Sequence, residues 1–460
     1  MKQEFMVIIA VAVLMVLIGA NSKPAYAGDD SREELERALV ALGQRTGDPL
    51  VVRVASAIAR QCAANAISGS ADFTEQCRRF RIALFSGSQD QNIIRAVRAW
   101  LPDEALALGR GFSKLASLKV GAIQARITQL RSNRDTTSQQ SNNGVELNVA
   151  GDLAQLLGYG ASDSTPGLDG RWGFFSSVSY YKGDREVQLT EPGFWYHGGK
   201  VGVGIDYKFN NNWVSGATFG RSRLSQHLLG QGQNDTYTSN YGLYSSWNGE
   251  RLYADVFFVK SISDQALDRR VEYGFDATAT EDRLDVSATH TSYTQSDADQ
   301  WGVGIGYDVL RGKWNLGVVA GIKWANTDTD PYTEIASSGS TPLLVRVEEQ
   351  HIESQIFTIG GSLNRAYSQS WGVITTELDI NMMHEAKDDQ RQIRSFLIFG
   401  DSSLPLDLET LAPDRDWGEV GVTVTTVLPH SLQFFFNYRK LFGIDGFSRD
   451  VTYLGGRVDF

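Results

Sequence analysis

The sequence predicts a mainly β protein, a twelve-stranded antiparallel β-barrel of the kind that spans a membrane, preceded by a small α-helical region and an export signal. Three observations carry this. The apolar period changes from three or four residues to two near residue 171, the connections between the period-two segments alternate short and long, and tryptophans collect beside the short ones. Composition agrees: 46 Gly, 22 Phe, 17 Tyr and 10 Trp among 460 residues lean toward aromatic β structure with many turns. With 21% charged residues and a net charge of −11, a nucleic-acid partner is disfavoured, since it would want basic patches.

Residues 1–27 read as a signal peptide. Lys2 is followed by an apolar run from Met6 to Ala20 and by Ala25-Tyr26-Ala27, an A-x-A cleavage site. The run is short for a membrane anchor. The rest of the chain is therefore expected in the periplasm or beyond.

Residues 28–102 form a small helical region. Leu35, Leu39 and Leu42, and again Ile93, Val97 and Trp100, recur at helical spacing. Cys62 and Cys77 are the disulfide candidates, because an exported pair close in sequence favours a bridge over two buried thiols. The most regular helix spans 103–131: it opens after Pro102 with Asp103 and Glu104, then carries a basic face of Arg110, Lys114, Lys119, Arg126 and Arg131 with no further acid. Its length of roughly 40 Å would cross a bilayer. Residues 132–170 read as a polar linker, as RSNRDTTSQQSNNG illustrates.

From 171 to 460 the period is two. In KVGVGIDYKF, Val201, Val203, Ile205, Tyr207 and Phe209 share one face, and Lys200, Gly202, Gly204, Asp206 and Lys208 the other. Strands are expected near 171–183, 199–209, 213–226, 235–247, 251–262, 299–308, 313–325, 353–366, 371–386, 416–428, 431–441 and 449–460. Short turns such as 210–212, 248–250 and 311–312 alternate with long loops, the largest being 263–298, 326–352 and 387–415. An even strand number with that rhythm is the pattern of an outer-membrane barrel; a soluble β-sandwich also alternates but has no such rhythm.

Trp172, Trp213, Trp247, Trp314 and Trp371 fall beside the short connections, as an aromatic girdle at the inner membrane boundary would. In the last strand, VTYLGGRVDF, the set Leu454, Val458 and Phe460 is apolar and faces lipid once the strand pairs with the first.

Several stretches together resemble the autotransporter family: DGRWGFFSSVSYYKGD, HGGKVGVGIDYKFNNNWVSGATFGRSRL, LDRRVEYG, NMMHEAKDD, APDRDWGEVGVTVT, the terminal VTYLGGRVDF, and VGAIQARITQLRS in the long helix. The resemblance spans about residues 103–460. It implies type V secretion, a twelve-stranded translocator with the 103–131 helix in its lumen, and a final strand ending at Phe460 that is read by the barrel-assembly machinery. Residues 28–131 hold 15 basic and 11 acidic residues, so a basic helix would suit lumen acids such as Asp206, Asp308, Glu377 and Glu419; the other reading puts the acidity on the outer loops. Where large family passengers are repetitive β-solenoids, this one would be short, helical and without repeats.

The expected function is an outer-membrane barrel that translocates or displays its own N-terminal segment at the cell surface. The alternative is a passive or structural channel plugged by its own helix, with the N-terminal region as a periplasmic cap. No G-x-S-x-G, H-E-x-x-H or P-loop occurs, so an enzyme is not expected, nor is any cofactor or metal: His197, His227, His290, His351, His384 and His430 are scattered. Glu353, Asp379 and Glu385 read as strand-borne acids facing a lumen. Expected partners are outer-membrane lipid, the general export machinery and the barrel-assembly machinery, with a monomeric barrel.

Overall fold

The structure is a computed structural model that describes residues 29–68, 70–102, 104–105, 171–188, 193–229, 232–278, 281–339, 341–387, 391–410, 414–429 and 432–459. The signal peptide, the basic face of the 103–131 helix, the polar linker and Phe460 lie outside the described residues.

Four helices come first. They are α1 (Asp29–Thr46), α2 (Pro49–Ser68), α3 (Ala71–Ser86) and α4 (Asp90–Ala99). Gly47, at φ 70°, ends α1, and the Asp48 carboxylate then accepts from the Leu50 amide at 3.1 Å to start α2, with Pro49 in the first turn. Ser70 caps α3 by accepting from Phe73 N at 3.2 Å, and Gly87, at φ 72°, closes it. The residues at helical spacing form the core: Leu39, Leu42, Ile58, Phe73, Phe80, Val97 and Trp100 are wholly buried, with the Trp100 ring 5.4 Å from Phe73. Cys62 of α2 and Cys77 of α3 are joined by a disulfide.

Twelve strands close a barrel: β1 (Trp172–Arg185), β2 (Phe194–Lys208), β3 (Trp213–Leu228), β4 (Gln233–Asn248), β5 (Leu252–Phe275), β6 (Leu284–Leu310), β7 (Asn315–Thr329), β11 (Gln350–Gln369), β12 (Gly372–Glu385), β15 (Asp416–Val427), β16 (Leu432–Phe442) and β17 (Asp450–Asp459). Closure comes from β17 pairing antiparallel with β1, Val458 opposite Phe174, and from β5 pairing with β6. Burial alternates along strands such as β1, β2, β4 and β5. On β2, Val201, Val203 and Ile205 are exposed on the lipid side while Lys200 and Asp206 are buried inside.

All twelve expected strands are present, most with limits within a few residues of the expected ones and β5 and β6 much longer. The largest difference is at 263–298, expected as a long loop: β5 runs on to Phe275 and β6 starts at Leu284, so a paired ribbon rises beyond the lipid-facing belt. Its buried face mixes Ser263, Gln265, Arg269, His290, Ser292 and Ser296 with Leu267, Val271, Tyr273, Phe275 and Ala288, so the apolar side, outward in the lipid belt, turns inward here and the hydropathy period is broken. The 326–352 and 387–415 loops also contain strands: β8 (Tyr332–Thr333), β9 (Ile335–Ser338), β10 (Val345–Val347), β13 (Gln392–Leu397) and β14 (Leu406–Glu409). β14, β13, β10 and β8 form a small sheet, and β9 adds to the edge of β6.

Lumen glycines make room for rings. A Cβ on Gly204 would sit 2.2 Å from the Phe175 ring, and one on Gly455 would sit 2.3 Å from the Phe435 ring. The small side on the inner face therefore reflects close packing of aromatics against the wall.

Candidate functional site

The ends of the barrel differ. At the short-turn end, Trp213, Trp247, Trp314 and Trp371 are exposed on the outward face, and Trp172 packs on Tyr207 with ring centroids 4.9 Å apart. Outward tryptophans also stand toward the other end, where Trp301 stacks on Trp324 at 3.8 Å and Trp195 is exposed. The spacing of the short turns points only to the first girdle; in the second, Trp301 and Trp324 sit within their strands and Trp195 at the long-loop end of β2, so no short turn marks it. On β17, Leu454 and Val458 face outward and are exposed.

Inside, wall arginines neutralise wall acids. Arg457 reaches Asp206 at 3.1 Å, Arg439 reaches Asp379 at 3.0 Å, and Arg449 bonds Glu419. Asp308, half-buried, pairs with Arg311 at 3.0 Å in a short turn. Asp379 and Glu385 are buried, but Glu353 points outward, where its carboxylate accepts from Lys387 at 2.9 Å. Its neighbours Ile352 and Ser354 take the inward positions, so the strand's parity puts Glu353 outside the lumen.

At the long-loop end the helices are seated on the barrel. Their core is continuous with Leu267, Val271, Tyr273 and Phe275 of β5, with Ala288 of β6, and with Leu343, Val345, Ile393, Leu397, Leu406 and Leu408 of the outer loops. Phe80 meets Phe275 edge to face at 6.2 Å. Around this apolar contact lie polar ties. Gln61 donates to Leu404 O at 2.7 Å and accepts from Asp401 N at 3.0 Å, and Asp276 N donates to Gln89 at 2.7 Å. Arg78 bonds Glu281 at 2.6 Å and Glu75 at 2.7 Å. Arg78 first, with help from Arg79 and against partial burial, draws the Glu75 carboxyl down to about 2.

The deepest point of this seat is an ionic cluster. Arg269 of β5 donates Nε and Nη2 to the two oxygens of Glu334, at 2.7 and 2.6 Å, Nη1 to Ala99 O at the end of α4 at 2.8 Å, and Nη2 to Leu343 O at 2.6 Å. His290 Nδ1 lies 3.2 Å from Glu334, whose carboxylate also accepts from Val345 N at 2.9 Å. Glu104, just past α4, comes within 3.9 Å of Arg269, and its carbonyl accepts from Asn234 of β4 at 3.4 Å. Burial alone would raise the Glu334 carboxyl, but the Arg269 charge and hydrogen bonds, with His290 and the Val345 amide, hold it well below the usual carboxylate range. Burial and the neighbouring Glu104 and Glu334 push the Tyr332 hydroxyl well above its ordinary range.

Chemically, this arrangement fastens. Its guanidinium is committed to the end of the helical domain, and among the described residues no group of three or more His, Cys, Asp or Glu is placed to hold a metal ion. Neither the cluster nor the seat was legible in the sequence, because Glu104, Arg269, His290 and Glu334 come from separate elements.

The closed twelve-stranded wall and its two girdles describe an outer-membrane barrel, and the family model for the autotransporter beta-domain matches residues 174–439. The chain belongs to the autotransporter family. Among solved structures, this autotransporter is similar to the translocator domain of the autotransporter NalP from Neisseria meningitidis, with 14% identity, 64% of this chain and 91% of that one covered, and a TM-score of 0.48. The β-domain of the Bordetella autotransporter Brka matches at 15% identity over 63% of this chain and 100% of that one, TM-score 0.44. The transport unit of the autotransporter AIDA-I from Escherichia coli matches at 12% identity over 65% and 93%, TM-score 0.41. A comparison with curated proteins found no match. The autotransporter is an outer-membrane protein, and its membrane crossing is by strands: none of the described helices is long and apolar enough to span a bilayer.

Proposed function

We propose that this autotransporter carries its own helical domain, residues 29–105, to the cell surface and keeps it there, seated on the outer mouth of the barrel and tied through the lumen. The observation that supports this is the placement of two chain positions. Glu104 and Ala99 bond Asn234 and Arg269 at the long-loop end, whereas Arg171 accepts from Lys208 N at 2.8 Å beside the short turn at the opposite end. The segment between them has to cross the membrane, and a path through lipid would bury the charges of Arg110, Lys114, Lys119, Arg126 and Arg131 in hydrocarbon, so the lumen is the route. Short turns face the periplasm in outer-membrane barrels, which puts the helical domain outside.

On this reading the domains are a signal peptide at 1–27, a displayed domain, a lumen segment containing the 103–131 helix, and the barrel from 171. The basic face Arg110, Lys114, Lys119, Arg126 and Arg131 would travel inside the pore. The role proposed for the domain is display, and beneath it the imidazole–carboxylate pair His290–Glu334 is held by Arg269. The chain would act as a monomeric barrel, handed over by the export and barrel-assembly machineries, and the periplasmic-cap alternative would require short turns facing outward.

Gln89→Cys with Asp276→Cys tests the seat. In intact cells a membrane-impermeant oxidant should join the two, giving a faster-migrating denatured chain. Two cysteines that stay free to react with maleimide, in a folded barrel, would overturn the reading.

A further inference from the structure

The outer wall of β3 to β6 carries a second feature, just above the lipid-facing belt. Climbing the outward face of β3 from Trp213, the side chains are Ser215, Ala217 and Phe219, then Arg221 and Arg223. At about 3.3 Å per residue and a tilt of about 40°, the two guanidiniums stand roughly 20–25 Å above the inner girdle, at the upper edge of an apolar band about 25 Å tall. Arg221 makes no ion pair with the described residues. Arg223 lies over the Tyr237 ring at 5.2 Å and touches Asp235 only at 3.5 Å. Between Arg223 and Tyr180 the register places Gly199, where an added Cβ would meet only a backbone oxygen at 3.5 Å, so the wall is dented there.

The same row continues sideways. Arg223, Tyr237, Asp264 and Gln295 are successive register partners across β3, β4, β5 and β6. Beyond Tyr237 lies a groove of about 570 Å³ lined by Tyr237, Asp264, Tyr293, Gln295 and Asp330. Tyr293 is 73% exposed, and Gln295 donates to Asp264 at 2.8 Å. Below it, Ile262, the next outward residue down β5 from Asp264, faces lipid, as does Leu243 farther down β4 past Tyr241.

We propose that this wall binds the phosphorylated sugar headgroup of an outer-leaflet glycolipid. Arg221 and Arg223 take the phosphate, for which the guanidinium fork is suited. Tyr237 and Tyr293 present flat faces to the sugar rings, and Asp264, Gln295 and Asp330 bond their hydroxyls. The acyl chains lie on Leu243 and Ile262. A simple phospholipid would use the arginines and leave the tyrosine–carboxylate groove empty; an arginine merely reaching for water would need no groove at all.

The test is native mass spectrometry of the folded full-length barrel, incubated with diphosphorylated lipid A, dephosphorylated lipid A or phosphatidylglycerol. Wild type should retain the diphosphorylated probe. Arg221→Gln with Arg223→Gln, still showing heat-modifiable migration, should retain about tenfold less, and Tyr293→Ala severalfold less. If the double glutamine variant does not fold, Arg221→Lys with Arg223→Lys keeps the charge and loses the fork, and should give intermediate retention. Equal retention by wild type and the folded variants, equal binding of the dephosphorylated probe, or displacement by phosphatidylglycerol would each overturn the proposal.

Discussion

Arg269 and Glu334 are joined by two parallel hydrogen bonds of 2.7 and 2.6 Å, with both side chains 3% exposed, and the same guanidinium holds the carbonyl of Ala99. One pair therefore ties β5, the outer loop that carries β8 and β9, and the end of the helical domain. A buried charge stripped of its partner is costly. Arg269→Met or Glu334→Gln alone should weaken the seat by about 3–5 kcal/mol, and the double change by less than the sum. Protease digestion of the helical domain on folded barrels would show this, with heat-modifiable migration unchanged.

The cluster also sets a pH limit. The Glu334 carboxyl, held below its ordinary value of 4.5, binds a proton less readily when folded, so its contribution is present above that value and is lost as pH falls below it. Glu75, drawn down to about 2 by Arg78 and Arg79, acts in the same direction, though weakly because it is exposed. The helical domain should stay protease-resistant from pH 7 to 5 and loosen between about 4 and 2, and Glu334→Gln should flatten that transition.

Bridging Cys62 to Cys77 closes a loop with a sequence separation of 15 between two buried positions, which by chain entropy is worth about 3 kcal/mol. Cys62→Ser with Cys77→Ser should lower the chemical-denaturation stability of the helical domain by roughly 2–4 kcal/mol. The barrel's gel migration should not change.

Gly204 faces the Phe175 ring with no space for a side chain. Gly204→Val should therefore reduce the yield of folded barrel severalfold, measured as the heat-modifiable fraction, and adding Phe175→Ala should restore part of it by emptying the contact.

Which features could be read in advance follows from how each is encoded. The twelve strands were legible because lipid supplies one uniformly apolar face, as in Val201, Val203 and Ile205. The ribbon beyond the membrane was not, because the apolar set changes faces there: Val256, Phe258 and Ile262 of β5 face lipid, whereas higher up Leu267, Val271, Tyr273 and Phe275 point inward and Asp264, Asp268 and Arg270 outward. Gln265 and Arg269 on the inner face interrupt the new period further. Glu353, expected in the lumen, faces outward, because acidity alone does not reveal parity. The helical core was readable from Leu35, Leu39 and Leu42, but its seat on the barrel depends on register and loop geometry that no local spacing encodes.

The central claim is that the helical domain sits outside the cell on a folded barrel, and an epitope placed just after Gly28 measures it. The account predicts that antibody reaches the tag on intact, unpermeabilised cells, with the chain retained in the membrane and the barrel showing heat-modifiable migration. A tag reached only after permeabilisation, in cells whose barrel is folded, would contradict it and make the helical domain a periplasmic lid.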